Sequence, residues 1–354
     1  MTIADGKVTD DTGAGIETGA STLTLNRVQV TGNAIETTGV GPEGAGIRTS
    51  SSSDSLILNQ STVSGNTITG VGGQAAGIKA NGPLTLNRST VSGNDANQAG
   101  TGFVGGVAGA LSSGIPMTIV NSTISGNSSG GSGAGGVLSG GGTATILNST
   151  IAGNGTAGDG GGLSGTSVTI RNTIIEGNSA AGSGNDCTLF ATPAADHSID
   201  TDDSGCFLDP DPSQSNQVGV PFASVALGAL AANGGPTLTR ALGAGSVAIG
   251  AGDDTRCATS PVSGVDQRGV TRPQGVACDI GAFEVEAVAP PPPPPPPPAS
   301  TGPTGTGLAG TGPGGAAVTP TPNPACKRLH RKLKKAKTKA KKRKLRKKLR
   351  KLGC

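Results

Sequence analysis

Along the first 180 residues, apolar side chains alternate with Thr, Ser or Asn in short runs, and one run of eleven residues recurs six times without gaps. The copies are LTLNRVQVTGN (23–33), LILNQSTVSGN (56–66), LTLNRSTVSGN (84–94), MTIVNSTISGN (117–127), ATILNSTIAGN (144–154) and VTIRNTIIEGN (168–178). Apolar positions two apart are the period of a strand with one buried face. Between the copies comes a shorter strand signal: GAGIETG, GAGIRTS, AAGIKAN, VAGALSS, AGGVLSG and GGGLSGT. Gly, Ser, Thr and Val dominate throughout, which is poor helix material.

The asparagines that close the copies, Asn33, Asn66, Asn94, Asn127, Asn154 and Asn178, stand 33, 28, 33, 27 and 24 residues apart. Periods of this size mark solenoids, propellers or arrays. Two or three short strands per turn with Gly-Asn corners predict an all-β parallel β-helix of about six coils over residues 1–180. Coils about 4.8 Å apart would stack each aliphatic side chain on its counterpart, giving a rod of roughly 30 Å. The six asparagines are expected to form a structural ladder of side-chain amides along the stack. TIADG at 2–6, followed by TGAGI, matches TIAGN followed by GDGGGL. Met1 therefore falls inside a coil, and an N-terminal cap and signal peptide are expected upstream.

Composition narrows the core. With 62 glycines, five phenylalanines and no tyrosine or tryptophan, it must be built from small and aliphatic residues. The six cysteines form local pairs by position, Cys187 with Cys206, Cys257 with Cys278 and Cys326 with Cys354, although six cysteines allow 15 connectivities. An even count with short loops points to disulfides and an oxidising exterior. Zinc is disfavoured, since there is no CxxC and His197 and His330 are the only histidines. No run reaches the ~18 apolar residues of a membrane-spanning helix.

After residue 180 the repeated wording stops. NDC (185–187), DTDDSGCF (200–207), NGGPTLTRALGAGSVAIGAGDD (233–254) and VDQRGVTRPQGVACDIGAFEVE (265–286) follow. This region resembles the choice-of-anchor Q domain of bacterial surface proteins, which commonly follows pectin-lyase-like repeats. The resemblance implies a right-handed parallel β-helix, a Cys-containing β-rich region over 181–286 and a cell-surface location. Two positions depart from the family's usual GSPAIDAG: Val247 stands for the proline and Gly250 for the acid.

Residues 287–325 are rich in Pro, Gly and Thr and open with nine prolines at 290–298. A polyproline II run of that length is a stiff spacer of roughly 28 Å. Residues 326–354 then hold 17 of the 27 Lys and Arg and no acid, leaving a body with ten basic against 23 acidic residues, a net of −13. Such a block reads as an interaction tail. Lys327, Arg328, Arg331, Lys332, Lys341, Lys342, Arg343, Arg346 and Arg350 are candidates for polyanion binding, with anionic cell-wall or envelope polymers the favoured partner. No groove-reading motif or aromatic platform supports sequence-specific nucleic-acid binding. One straight helix would hold Cys326 and Cys354 roughly 42 Å apart, so either the tail folds back near 339–341, the favoured reading, or these thiols pair with other molecules.

Catalysis finds little support. Polysaccharide lyases and hydrolases on this scaffold need clustered carboxylates, whereas Glu17, Arg48 and Lys79, aligned in three coils, give way to Ala110, Leu138 and Leu163 in the others. One calcium-like loop exists, with Asp200, Asp202, Ser204 and Asp211 at EF-hand spacing. It lacks flanking helices and contains Cys206 and Pro210, so a polar turn is favoured and no cofactor is expected. The expected function is a secreted or cell-surface structural or adhesin-type rod, retained by its polycationic tail. The alternatives are a carbohydrate-active or carbohydrate-binding β-helix acting on surface glycans, and a polyanion-binding module acting through the tail.

Overall fold

Each copy of the repeated phrase contributes two strands, because its fifth residue turns the chain. Arg27, Gln60, Arg88, Asn121, Asn148 and Asn172 all lie in the left-handed region, with φ from +45° to +54°. The glycine before the closing asparagine turns it again, with φ from +61° to +69° at Gly32, Gly65, Gly93, Gly126, Gly153 and Gly177. A computed structural model describes residues 1–287 except 20, 37–40, 71–73, 97–103, 109–113 and 204. The linker beyond residue 287, Cys326, Cys354 and all the tail candidates lie outside the described residues.

The turns generate four sheets, S1 to S4, in chain order. In one coil Leu84–Asn87 joins S1, Thr90–Ser92 joins S2, Asp95–Ala96 joins S3 and Val107–Ala108 joins S4. S2 has nine strands and the others seven each, every neighbour parallel and one coil away. The architecture is thus a parallel β-solenoid with four strands per turn. The sequence pattern counted two or three, because it read the phrase as one strand running through the left-handed corner.

Stacking builds the core as columns. Leu58, Leu86, Ile119, Ile146 and Ile170 pile up beneath S1, Val30, Val63, Val91, Ile124, Ile151 and Ile175 beneath S2, and Ile47, Ile78, Val107, Val137 and Leu163 beneath S4. All are buried. At about 25 cal/mol per Å² of apolar area removed from water, these columns are the main stabilising term, and a coil can bury its aliphatics only against a neighbour.

The change of wording after residue 180 does not end the solenoid. Cys187–Leu189, Ala194–Asp196, Ile199–Asp200 and Gln217–Val218 extend S4, S1 and S2. The chain then turns back. A short helix α1 (Phe222–Val225), an antiparallel hairpin (Leu227–Ala231 with Thr239–Leu242) and a second helix α2 (Asp254–Ala258) lead into a final irregular segment. Val225, Leu242, Ala248, Ile280 and Phe283 pack on Ile174 and Ile199, which face outward from S2. No helix among the described residues is long and apolar enough to cross a membrane.

Candidate functional site

The repeated asparagines form one continuous internal ladder. Asn33 Nδ2 donates to Asn66 Oδ1 at 2.9 Å, and the same bond links Asn66 to Asn94, Asn94 to Asn127, Asn127 to Asn154 and Asn154 to Asn178 at 2.8–2.9 Å. From Asn66 onward each Oδ1 also accepts the preceding asparagine's backbone N–H, while Asn33 Oδ1 accepts that of Gly6, and each Nδ2 gives its second hydrogen to a strand carbonyl such as Val63 O or Val91 O. These amides are buried with all their hydrogen-bonding capacity used, the condition under which a buried polar group stabilises. A glycine column explains the GAG wording between copies. A Cβ on Gly46, Gly77, Gly106 or Gly136 would lie 2.4 Å from the next coil's carbonyl and 2.9–3.1 Å from a ladder amide.

That glycine column also sets the register of S4. Arg48 pairs with Glu17 and Lys79, as the alignment expected, but Lys79 pairs with Ala108, then Leu138, then Ser164. The expected Ala110 and Leu163 are therefore displaced: the fourth between-copy signal is VGGVA (104–108), three residues upstream of the VAGALSS reading. Glycine-rich text has no side chains to anchor an alignment, whereas the ladder does. Arg48 bonds Glu17 and Glu43, and Lys79 is buried below this group. Burial draws the Lys79 ammonium below its usual value, opposed by Glu43.

The ladder ends on an acid that the sequence reading had not singled out. Asp186 stands in the glycine column, one residue before the pairing of Leu163 with Cys187. Its Oδ1 accepts the Asn178 backbone N–H at 3.1 Å and Nδ2 at 2.8 Å. Its Oδ2 accepts the Thr201 N–H at 3.1 Å and hydroxyl at 2.7 Å. A carboxylate suits this place because the last amide needs an acceptor and no further donor. The signal lay in NDC, just where the final asparagine lacked a successor.

Asp200 and Asp202 lie beside it, with one carboxylate oxygen from each of the three within 4.8 Å of the others. Asp200 occupies the S2 core column next to Ile175, at 1% exposure. Burial, and secondarily the Asp186 charge, push it up to about 8. The calcium-like loop is not assembled as its spacing suggested. Asp211 is exposed and accepts the Ser213 N–H, and Ser204 lies outside the described residues. Three carboxylates suit a hard cation by type, but four hydrogen bonds already use the roughly four lone-pair sites of Asp186. The arrangement chemically favours the neutral form of Asp200, since its burial and the neighbouring Asp186 charge both oppose its ionisation.

Glu176, on the outer face of S2, is buried under the returning segment, and its Oε2 has no hydrogen-bond partner. Burial pushes it up to about 7, with Arg240 opposing and Asp186 reinforcing. On the other side of the last coil, Asp196 accepts from Arg171 and from Arg256 of α2, with His197 and Asp253 adjacent. Two guanidiniums on one carboxylate neutralise it and tie α2 to the rod.

The motif DQRG…RP…CDIGAFE is a clamp. Gln267 Nε2 donates to Thr90 Oγ1 and Thr237 Oγ1 at 2.9 Å, and its Oε1 accepts from Thr123 Oγ1 at 2.7 Å. The Ala282 N–H reaches Thr150 Oγ1 at 3.1 Å, beside Gly281, where a Cβ would meet Ile174 at 2.8 Å. Behind this contact, fully buried Arg272 pairs with Glu284 at 3.0 Å, and Arg268 stacks 3.7 Å over Phe283 while bonding Asp266. Asp266 also accepts three successive backbone N–H groups, from Arg268 to Val270. The unusual Gly250 adopts φ +62° and donates its N–H to Asp279 at 2.7 Å.

The disulfides join Cys187 to Cys206 and Cys257 to Cys278, the pairs that position in the chain suggested, with Cα atoms 4.7 and 6.6 Å apart. The first fastens the last coil; the second packs on the corner asparagines Asn148 and Asn172. Compared with protein-family models, curated proteins and solved structures, this chain matches none.

Proposed function

We propose that this chain is a structural rod of the cell surface, with no catalytic role, retained at an envelope by its Lys- and Arg-rich residues 326–354. The observation that carries the reading is where the polar chemistry goes. The asparagine ladder is consumed inside the rod, and the charged motif of residues 266–284 is consumed in clamping the returning segment to S2. The open face of S1 presents a half-exposed column of hydroxyls, Thr85, Thr118, Thr145 and Thr169, with no recurring acid pair. A smooth Ser/Thr/Asn face suits a stalk better than a sugar-cleaving groove. Two disulfides, together with the resemblance of residues 185–285 to surface-anchored proteins, support an oxidising exterior.

Co-sedimentation with purified cell walls across a salt series tests the proposal, using the intact chain and a version ending at Ala289. Salt-sensitive binding by the intact chain alone is the expected result, since exposed charge pairs are screened within about 8 Å at physiological ionic strength. Equal binding by both would overturn retention by the tail and make the rod itself a carbohydrate-binding surface.

A further inference from the structure

Among the described residues of the solenoid, exposed aromatic rings occur on the terminal coil. Phe190 is 72% exposed and Phe207 57%, in a chain with only five phenylalanines and no other aromatic residue. The Cys187–Cys206 disulfide and a 3.0 Å bond from Leu189 N–H to Gly205 O hold the two segments side by side, and each phenylalanine immediately follows one of them. Exposed rings on two adjoining segments mark a contact surface. Its charge is one-sided: residues 201–222 contain four aspartates and no Lys or Arg. Asp203, Asp209 and Asp211 are exposed, and the hydrogen bonds Asp211 accepts from Ser213 hold it below the usual carboxylate range.

From this surface we infer that the acidic, phenylalanine-bearing terminal coil is a docking site for the Lys- and Arg-rich segment 326–354 of a second copy of this chain. Complementarity of charge selects the occupant. The segment carries 17 cations and no acid, and Leu333, Leu345 and Leu349 are spaced among them. Cations over phenylalanine faces and leucines against their edges satisfy both components of the surface. Body and segment of opposite sign on every copy make such a contact heterologous, so copies would add head to tail.

Sedimentation velocity of the full chain tests this, with Cys326→Ser and Cys354→Ser present to exclude intermolecular disulfides. Self-association that grows with protein concentration and disappears in high salt is expected. Phe190→Ala with Phe207→Ala should weaken it roughly tenfold, as should Asp203→Asn with Asp209→Asn and Asp211→Asn. Both sets are solvent-exposed, so circular dichroism should be unchanged. A single species at all concentrations in low salt overturns the inference, as does self-association that the phenylalanine pair leaves unaltered. Wall binding is read independently, so failure here leaves retention by the tail standing.

Discussion

Replacing Asn127 with alanine deletes the middle of the internal ladder. The Asn94 backbone N–H, which donates to Asn127 Oδ1 at 3.1 Å, is orphaned in the core. The Asn94 amide, the Val91 carbonyl and Asn154 Oδ1 each lose one bond of 2.8–3.1 Å. An orphaned buried group costs about 1–3 kcal/mol and each net bond about 1, so the expected loss is roughly 5 kcal/mol. That is a large share of the ~5–15 kcal/mol by which a domain is stable. The control is Asn59→Ala in the half-exposed outer ladder, where Asn59 donates to Asn26 at 2.9 Å and accepts from Asn87 at 3.3 Å. Water replaces those bonds, so a cost below about 1 kcal/mol is expected. Urea unfolding of both variants, followed by far-ultraviolet circular dichroism, gives the comparison through the shift in midpoint. Equal shifts would refute the reasoning, because the two asparagines differ chiefly in burial.

Three further outcomes are expected. Glu176, at about 7, and Asp200, at about 8, bind protons more tightly folded than unfolded, so stability should fall as pH rises from about 4 to about 8 and then level off. Glu176 alone accounts for ~3 kcal/mol of this; Glu176→Gln should flatten the slope in urea titrations at several pH values, and an unchanged slope contradicts the assignment. Gly136→Ala would set a Cβ 2.4 Å from Gly162 O and 3.0 Å from Asn154 Nδ2; it should lower the melting temperature more than Gly177→Ala, where the cost is about 1 kcal/mol of backbone strain. Gln267→Ala removes the bridge among Thr90, Thr123 and Thr237, and limited proteolysis with mass spectrometry should show cleavage within 219–286 before the repeats are cut.

The sequence by itself determined the repeating unit, the buried aliphatic columns, the ladder of Asn33 through Asn178 and the two local disulfides. Each is a periodic or short-range property: coils of one shape can bury their edges only by stacking in register, so the repeat in the text is the repeat in space. Tertiary structure alone decided the rest. Four strands per turn follow from left-handed corners at Arg27, Gln60 and Arg88, residue types that do not announce that conformation. Asp186 ends the ladder, and Asp211 stands apart from Asp200 and Asp202, because the last coil folds around a disulfide and not around a twelve-residue loop. The DQRG and CDIGAFE wording carried no legible role until residues 219–286 turned back onto S2. Its partners Thr90, Thr123 and Thr150 lie more than a hundred residues earlier, and their hydroxyls look in sequence like the uncovered ones of S1. Which of two chemically alike faces is covered depends on where the returning chain lies, a long-range fact that no local pattern encodes.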